Sequence, residues 1–346
     1  MGRAFSLYAG FCPFCGILSH VFSLKDNPWL RLFRVPNLLT VPGDALVGAA
    51  FMMPEGGAML PQAFAACVGV LFLYMYGLVD NDLANAAADA ENALDRPIPR
   101  GEISRRAAMV AMFACLIAAS LLPNWIVWHF RPGERLPLSW NVVMVLLVCC
   151  IYAYNRLKRA WLMGAWRGLS VVCGGMVAWI PDYHPYTYDL LPESRWLFIS
   201  LIVLAMGWFA YIEAVTKLSE GEKCPSEGLG NRRYLLGLSA FLPLLGFVPI
   251  TCASGVGFSS CVPLILPLTG CCCAFVAWCT AVAPLWLPHG PQERRRAVGQ
   301  TIGALIYLQV GFMLIWPSRM PFLVAAAGLW LASRVIRRLF PHVSGS

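Results

Sequence analysis

The chain has 346 residues, 13% of them charged and 59% from the set AVILMFWYC, with a mean hydropathy of +0.65 and a formal net charge of +8. A soluble domain of this length carries roughly a quarter charged residues, so a soluble enzyme is excluded. The positive balance needs no nucleic acid, because lysines and arginines beside lipid headgroups account for it.

In chain order, residues 1–30 read as an N-terminal cytoplasmic segment. They contain Cys12-Pro13-Phe14-Cys15 and a lone His20. A C-x-x-C pair suits redox chemistry or half of a zinc site, but no second pair with metal spacing follows, and a loosely ordered terminus is the simpler reading. The stretch is too polar and too interrupted by proline for a signal peptide.

Residues 31–340 form one transmembrane domain. Apolar runs at 36–53, 60–79, 107–123, 139–155, 161–180, 197–216, 233–250, 262–286, 299–316 and 320–336 have bilayer-crossing length. The expected fold is an all-α polytopic helical bundle of nine or ten spans, the last pair being readable as a broken hairpin. With the N-terminus inside, the inner loops collect 20 Lys and Arg against 4 outside, namely Arg131, Arg135, Arg195 and Arg319. That bias places the N-terminus and the motif loops below on the cytoplasmic side; the expected location is the cell membrane. Most of the 14 cysteines lie inside apolar runs, where they act as small hydrophobes.

Three polar clusters interrupt this apolar chain on the cytoplasmic side. The first runs from Asp80 to Asp89. Asp82, Asn85 and Asp89 stand at i, i+3 and i+7, one helical face if the helix persists. Two carboxylates and a carboxamide oxygen suit a hard cation such as Mg²⁺, which takes one or two carboxylates and completes its shell with water and substrate phosphate. Asn81 is placed to cap or orient a ligand, and the competing reading is a solvated helix end capped by its acids. Arg96 and Arg100, in a proline-stiffened turn closed by Gly101, bring positive charge toward the same face, as phosphate recognition requires.

The second cluster is Tyr152 to Arg159. Its short turn holds Lys158 and Arg159 near a shared headgroup or pyrophosphate. Arg167 lies inside an apolar span, where an unpaired charge costs about 2.5–3.5 kcal/mol or more. It therefore calls for a carboxylate partner or a bound anion, unless it snorkels from a helix end. In the third cluster, Glu213, Lys217 and Glu220 have the spacing of an internal ion-pair ladder.

Together these residues resemble the UbiA superfamily of intramembrane prenyltransferases. The family's N-D-x-x-D-x-x-x-D motif is similar to Asn81-Asp82-x-x-Asn85-x-x-x-Asp89, and its R-P-x-P-x-G to Arg96-Pro97-Ile98-Pro99-Arg100-Gly101. The Y-x-x-x-K-R element resembles Tyr154 to Arg159, and Arg34-Val35-Pro36-Asn37 resembles the entry to the family's first helix. The resemblance spans about residues 30–320. It implies a helical bundle around a lipid-facing cavity, with an isoprenoid diphosphate bound on Mg²⁺ between two acidic motifs. The prenyl group is passed to an aromatic or other lipophilic acceptor.

On that footing Asp82, Asn85 and Asp89 are expected to hold Mg²⁺. Asn81, Arg96, Arg100, Tyr154, Lys158, Arg159, Arg167 and Glu220 are expected to bind substrate. Trp166, Trp179, Trp208 and Phe209 are candidates for steadying a carbocation. The partners implied are a polyprenyl diphosphate, a lipophilic acceptor and membrane lipids.

The departures are specific. Asn85 replaces a middle Asp, and the family's second motif aligns with Thr216-Lys217-x-x-Glu220-x-x-x-Cys224, keeping one carboxylate and reversing a charge. Lys217 is then expected to bind phosphate where a second ion would sit. The alternative is a non-catalytic isoprenoid or lipid binding or transport protein on the same scaffold. An unrelated transporter would need polar groups at interrupted helices near the midplane.

Overall fold

The computed structural model describes residues 27–52, 60–91, 96–178, 192–220, 236–248, 262–286, 291–314 and 320–339. The C-x-x-C pair, Trp179, Cys224 and the Glu220 side chain fall outside them. Among the described residues there are helices and turns but no strand.

The chain enters through two short helices, α1 (Pro28–Leu32) and α2 (Val35–Leu38). Asn27 caps α1 by accepting from the Trp29 backbone N–H at 2.9 Å, and Pro28 opens it where a missing N–H costs nothing. Between them Arg34 takes a left-handed conformation, φ 47°, which is uncommon for a residue with a Cβ. There follow α3 (Thr40–Met52), α4 (Leu60–Glu91), α5 (Arg105–Phe130), α6 (Leu138–Leu157), α7 (Ala160–Ala178) and α8 (Pro192–Glu220). A 3₁₀ helix (Leu238–Phe247) precedes α9 (Val262–Val282), α10 (Pro291–Met313) and α11 (Met320–Leu339).

Among the described residues five helices are long and apolar enough to span a bilayer, those containing Leu60–Glu91, Arg105–Phe130, Leu138–Leu157, Trp196–Ser219 and Ile265–Leu285. Shorter apolar helices cover Thr40–Met52, Leu238–Phe247 and Val324–Ile336. The run expected as one span at 36–53 is broken at Leu39 into α2 and α3, and that at 233–250 contains ten residues of 3₁₀ helix around Pro243. Proline there removes a donor from the α-helical ladder.

α3 is the centre of the bundle. It packs on α4, α7, α8, α10 and α11, and nearly all of its residues are buried, in keeping with a sequence apolar on every side. α3 and α7 approach almost backbone to backbone. A Cβ on Gly48 would meet the Val171 carbonyl oxygen, and one on Gly174 the Ala45 carbonyl oxygen, so the small residues set this interface. By contrast α5 and α6 turn Val110, Ile117, Leu121, Trp125, Trp128, Val142 and Val145 outward. Such an apolar exterior marks an integral membrane protein.

A smaller core fixes the entry segment over the end of α4. Leu32, Val79, Ala86, Ile98, Ile103 and Ala108 are buried together beneath Trp29 and Phe33. This joins α1, the Arg96–Gly101 turn and the start of α5 to the last turns of α4. Gly101 makes the turn with φ 73° and Ser104 caps α5 by accepting from the Ala107 N–H at 3.2 Å.

Candidate active site

The helix carrying the first motif does not stop at residue 79. α4 continues three turns further, to Glu91, so Asp82 and Asp89 do share a face, and both are buried. They are joined by one guanidinium: Arg96 donates from Nη1 to Asp82 Oδ1 at 2.5 Å, and its Nε lies 3.2 Å from Asp89 Oδ2. Arg34 donates from Nη2 to the same Asp82 oxygen at 3.2 Å. Burial first, and then the neighbouring Arg34, lower the Arg96 pKa, as two guanidiniums crowded on one carboxylate should. Asp89 Oδ2 is buried and has no aligned hydrogen bond among the described residues.

The flanking positions complete this mouth. Asn85 turns its nitrogen back on α4, donating to the Asn81 carbonyl at 2.7 Å and to Asn81 Oδ1 at 3.1 Å, so that only its oxygen would be open to a ligand. Lys158, in the left-handed conformation that ends α6, donates to Asn81 Oδ1 at 2.5 Å and sits over the Tyr154 ring at 5.6 Å. Although the residue is exposed overall, partial desolvation of its ammonium lowers its pKa to about 8. Arg34, Arg156 and Arg96 push the same way, against Asp80. Asp80 itself looks elsewhere: it accepts from Asn155 at 2.7 Å and from both nitrogens of the Arg156 fork at 3.2 and 3.3 Å. With Asp80 matched by Arg156, three cations (Arg34, Arg96 and Lys158) face two carboxylates, an excess that suits an anionic ligand.

Behind the mouth lie two adjoining cavities that share Arg34, Tyr74, Tyr154, Met163 and Trp166. One, about 110 Å³, reaches Asn81 and Asn155; the other, about 230 Å³, runs to Thr40, Arg167, Thr216 and Ser219. Tyr74 stacks on Trp166 with ring centroids 5.2 Å apart, so an aromatic wall backs the charged mouth. Asp82 lines neither cavity; it stands behind Arg34.

Arg167 has the carboxylate partner its position demanded. Its Nε lies 2.5 Å from Asp44 Oδ2, its Nη2 donates to Asp44 Oδ1 at 3.1 Å and to the Thr40 carbonyl at 2.8 Å, and its Nη1 to Thr40 Oγ1 at 3.2 Å. Trp208 and Gln309 each donate to Asp44 Oδ1 at 2.8 Å. Trp208 is thereby tied to a carboxylate, and Trp166 is the tryptophan that lines the cavity.

Other expected site residues are not brought here. Lys217 pairs with Glu213 one turn earlier at 2.7 Å and lines a separate groove with Leu236, Ser239 and Leu242. The face of α8 turned to the cavity presents Thr216 and Ser219 instead. Arg100 pairs with Glu102 at 3.5 Å on the surface, and Arg159 is exposed and makes no ion pair with the mouth among the described residues. Arg34 and Asp44 were missed as site residues. Arg34 reads as one more inner-loop cation, whereas Asp44, a carboxylate within an apolar span, was a signal of the same kind as Arg167.

Among the described residues no three His, Cys, Asp or Glu side chains converge. One hard cation nevertheless fits the first motif. Its donors are all oxygens, Asp89 Oδ2 is buried without an aligned donor, and a guanidinium already holds a positive charge between the two carboxylates.

The profile of the UbiA prenyltransferase family matches residues 45–289. The chain is 25% identical over 240 residues to UbiA prenyltransferase claS of Ampulloclitocybe clavipes, covering 65% of this chain and 70% of that one. It is 36% identical over 101 residues to digeranylgeranylglyceryl phosphate synthase of Natronomonas pharaonis, 28% of this chain and 35% of that one. A structure solved for digeranylgeranylglyceryl phosphate synthase shares the fold, with a TM-score of 0.51 and 17% identity, over 84% of this chain and 98% of that one. With well over half of its length matched, from within α3 through the whole of the first motif and the Tyr74–Trp166 wall to the end of α9, the chain belongs to the UbiA prenyltransferase family.

Proposed function

We propose that this chain transfers a prenyl group from an isoprenoid diphosphate to an aromatic or other lipophilic acceptor within the membrane, with Mg²⁺ held by Asp82, Asp89 and Asn85. The observation that carries this reading is the clasp of Arg34 and Arg96 on Asp82 and Asp89 at the mouth of an aromatic-walled cavity. The relatives named above, a prenyltransferase and a digeranylgeranylglyceryl phosphate synthase by name, support the same reading. The mouth faces the cytoplasm of the cell membrane, by the distribution of Lys and Arg.

The chain's own groups have distinct parts. Arg34, Arg96 and Lys158 bind the diphosphate, and their fixed charge meets the negative charge that grows as the allylic C–O bond breaks and pyrophosphate departs with the electron pair. Bound Mg²⁺ would neutralise the same oxygens as a Lewis acid. Tyr74, Tyr154 and Trp166 form the wall along which the prenyl chain lies, where ring faces favour a cation and water is excluded. The acceptor then forms the new bond to the allylic carbon and gives up a proton.

Purified protein in detergent, given Mg²⁺, a series of polyprenyl diphosphates and a lipophilic acceptor, should release pyrophosphate and yield a prenylated product by mass spectrometry. Asp82→Ala should abolish both. Binding without turnover across chain lengths and acceptors would sink the proposal. That outcome would favour the second reading, a binding or transport protein, which draws on one observation: Lys217 closes on Glu213 instead of facing the first motif.

A further inference from the structure

A second polar cleft uses the face of α10 opposite the one that lines the cavity with Val298, Ile302 and Leu305. α9 and α11 both pack on α10 but scarcely touch each other. The space between them is about 470 Å³, the largest of the clefts described here, floored by the small residues Ala277, Gly303 and Ala304. Its lining brings together the Gln300 amide, the Tyr307 and Ser333 hydroxyls and the Arg334 guanidinium, with no acidic side chain among the lining residues. Ser333 is buried, whereas Arg334 is exposed and lies over the Trp330 ring at 4.7 Å. Arg334 has no ion pair among the described residues, so none of them offsets its charge.

The cleft has a definite depth. Thr280 stands near the end of α9, Gln300 nine residues into α10, and Ser333 and Arg334 near the end of α11, so all belong to one end of the bundle. The sequence adds Arg337 and Arg338 just beyond. A tryptophan beside an arginine at a helix end is the composition of the headgroup layer. An unmatched guanidinium among neutral donors is the chemistry of a phosphodiester site. Anionic lipids are concentrated by exactly such basic, membrane-flush positions.

We propose that the α9–α10–α11 cleft binds the headgroup of an anionic membrane phospholipid, its phosphate on Arg334 with Gln300, Tyr307 and Ser333 as further donors. The site is separate from the cavity behind Asp82 and stands whether or not prenyl transfer is the chain's activity.

The full chain, purified and exchanged into mixtures of phosphatidylglycerol and phosphatidylcholine, is examined by native mass spectrometry for retained lipid. Phosphatidylglycerol should be retained in preference. Arg334→Gln should weaken that preference about tenfold or more, the usual effect of losing one charge-assisted contact. Gly303→Leu, which fills the floor and leaves every charge in place, should weaken it too, while Arg105→Gln, an exposed inner-side arginine elsewhere, should not. The proposal is overturned if phosphatidylglycerol is not preferred, if Arg334→Gln or Gly303→Leu retains it as the parent does, or if Arg105→Gln loses it equally. The last result would show general surface attraction.

Discussion

Lys158 carries a charge that can be titrated at an accessible pH. Its pKa, lowered to about 8 chiefly by desolvation, means that its ammonium is present below that pH and lost above it. If it binds diphosphate, affinity for inorganic pyrophosphate should fall between pH 7 and pH 9, by about tenfold, and Lys158→Met should be weak and flat across that range. The stability consequence has the opposite sense. Between about 8 and the ordinary value of 10.5 the unfolded chain holds the extra proton, so stability should rise with pH through that window and cease to do so in Lys158→Met. Thermal melts in detergent at pH 8 and 10 distinguish the two. Lys217 provides the contrast. Its side chain is 52% exposed and its partner is Glu213 on the same helix, a pair worth at most a few tenths of a kcal/mol. Lys217→Met should therefore leave both pyrophosphate affinity, at fixed ionic strength, and melting temperature nearly unchanged. A tenfold loss of affinity would restore Lys217 to the site.

At the level of elements, the interlock of α3 with α7 decides where the cavity wall stands. α7 presents Met163, Trp166 and Arg167 to the cavity, and its distance from α3 is set by Gly48 and Gly174. Gly174→Val would drive branched carbons into the Ala45 carbonyl, one residue from Asp44. Overpacking of that kind costs about 1–3 kcal/mol, and it should both lower the melting temperature and weaken isoprenoid binding, whereas Gly328→Ala, with open space around it, should do neither. The Gly174-Gly175 pair was legible as a close-packing signal, and the bundle itself as a run of apolar segments. The length of α4 was not fixed beforehand. A polar tail after an apolar span looks the same as a loop or as continuing helix, and what holds Asp80–Glu91 helical is the cover of Trp29, Phe33, Ile98 and Ile103 from elsewhere in the chain. The face of α8 was hidden for a similar reason. Lys217 and Thr216 are adjacent in sequence, and only the packing of α8 on α7 and α10 selects Thr216 for the cavity.

For the molecule as a whole, the Asp44–Arg167 pair ties the central helix to the rest. Through Thr40, Asp44, Arg167, Trp208 and Gln309 it joins α3, α7, α8 and α10, helices drawn from both halves of the chain. Both charges are almost wholly buried, so each satisfies the other and neither tolerates removal alone. Asp44→Leu would leave the guanidinium without its counter-ion and the Trp208 indole N–H without its carboxylate acceptor, while Gln309 keeps its bond to the Thr40 carbonyl; breaking such a pair from one side costs about 3–5 kcal/mol. Arg167→Met should be similarly damaging. The double variant Asp44→Leu with Arg167→Met removes both charges together, and replacing a buried ion pair by apolar groups is often neutral or stabilising. Its melting temperature should therefore lie well above that of either single variant, giving a coupling energy of a few kcal/mol in a double-mutant cycle. Additive losses would show that the two side chains act independently and that the bundle is held by α3–α7 packing alone. If the double variant recovers stability but loses isoprenoid binding, the pair's role lies in shaping the inner end of the cavity that Thr40 and Arg167 line, rather than in holding the helices together.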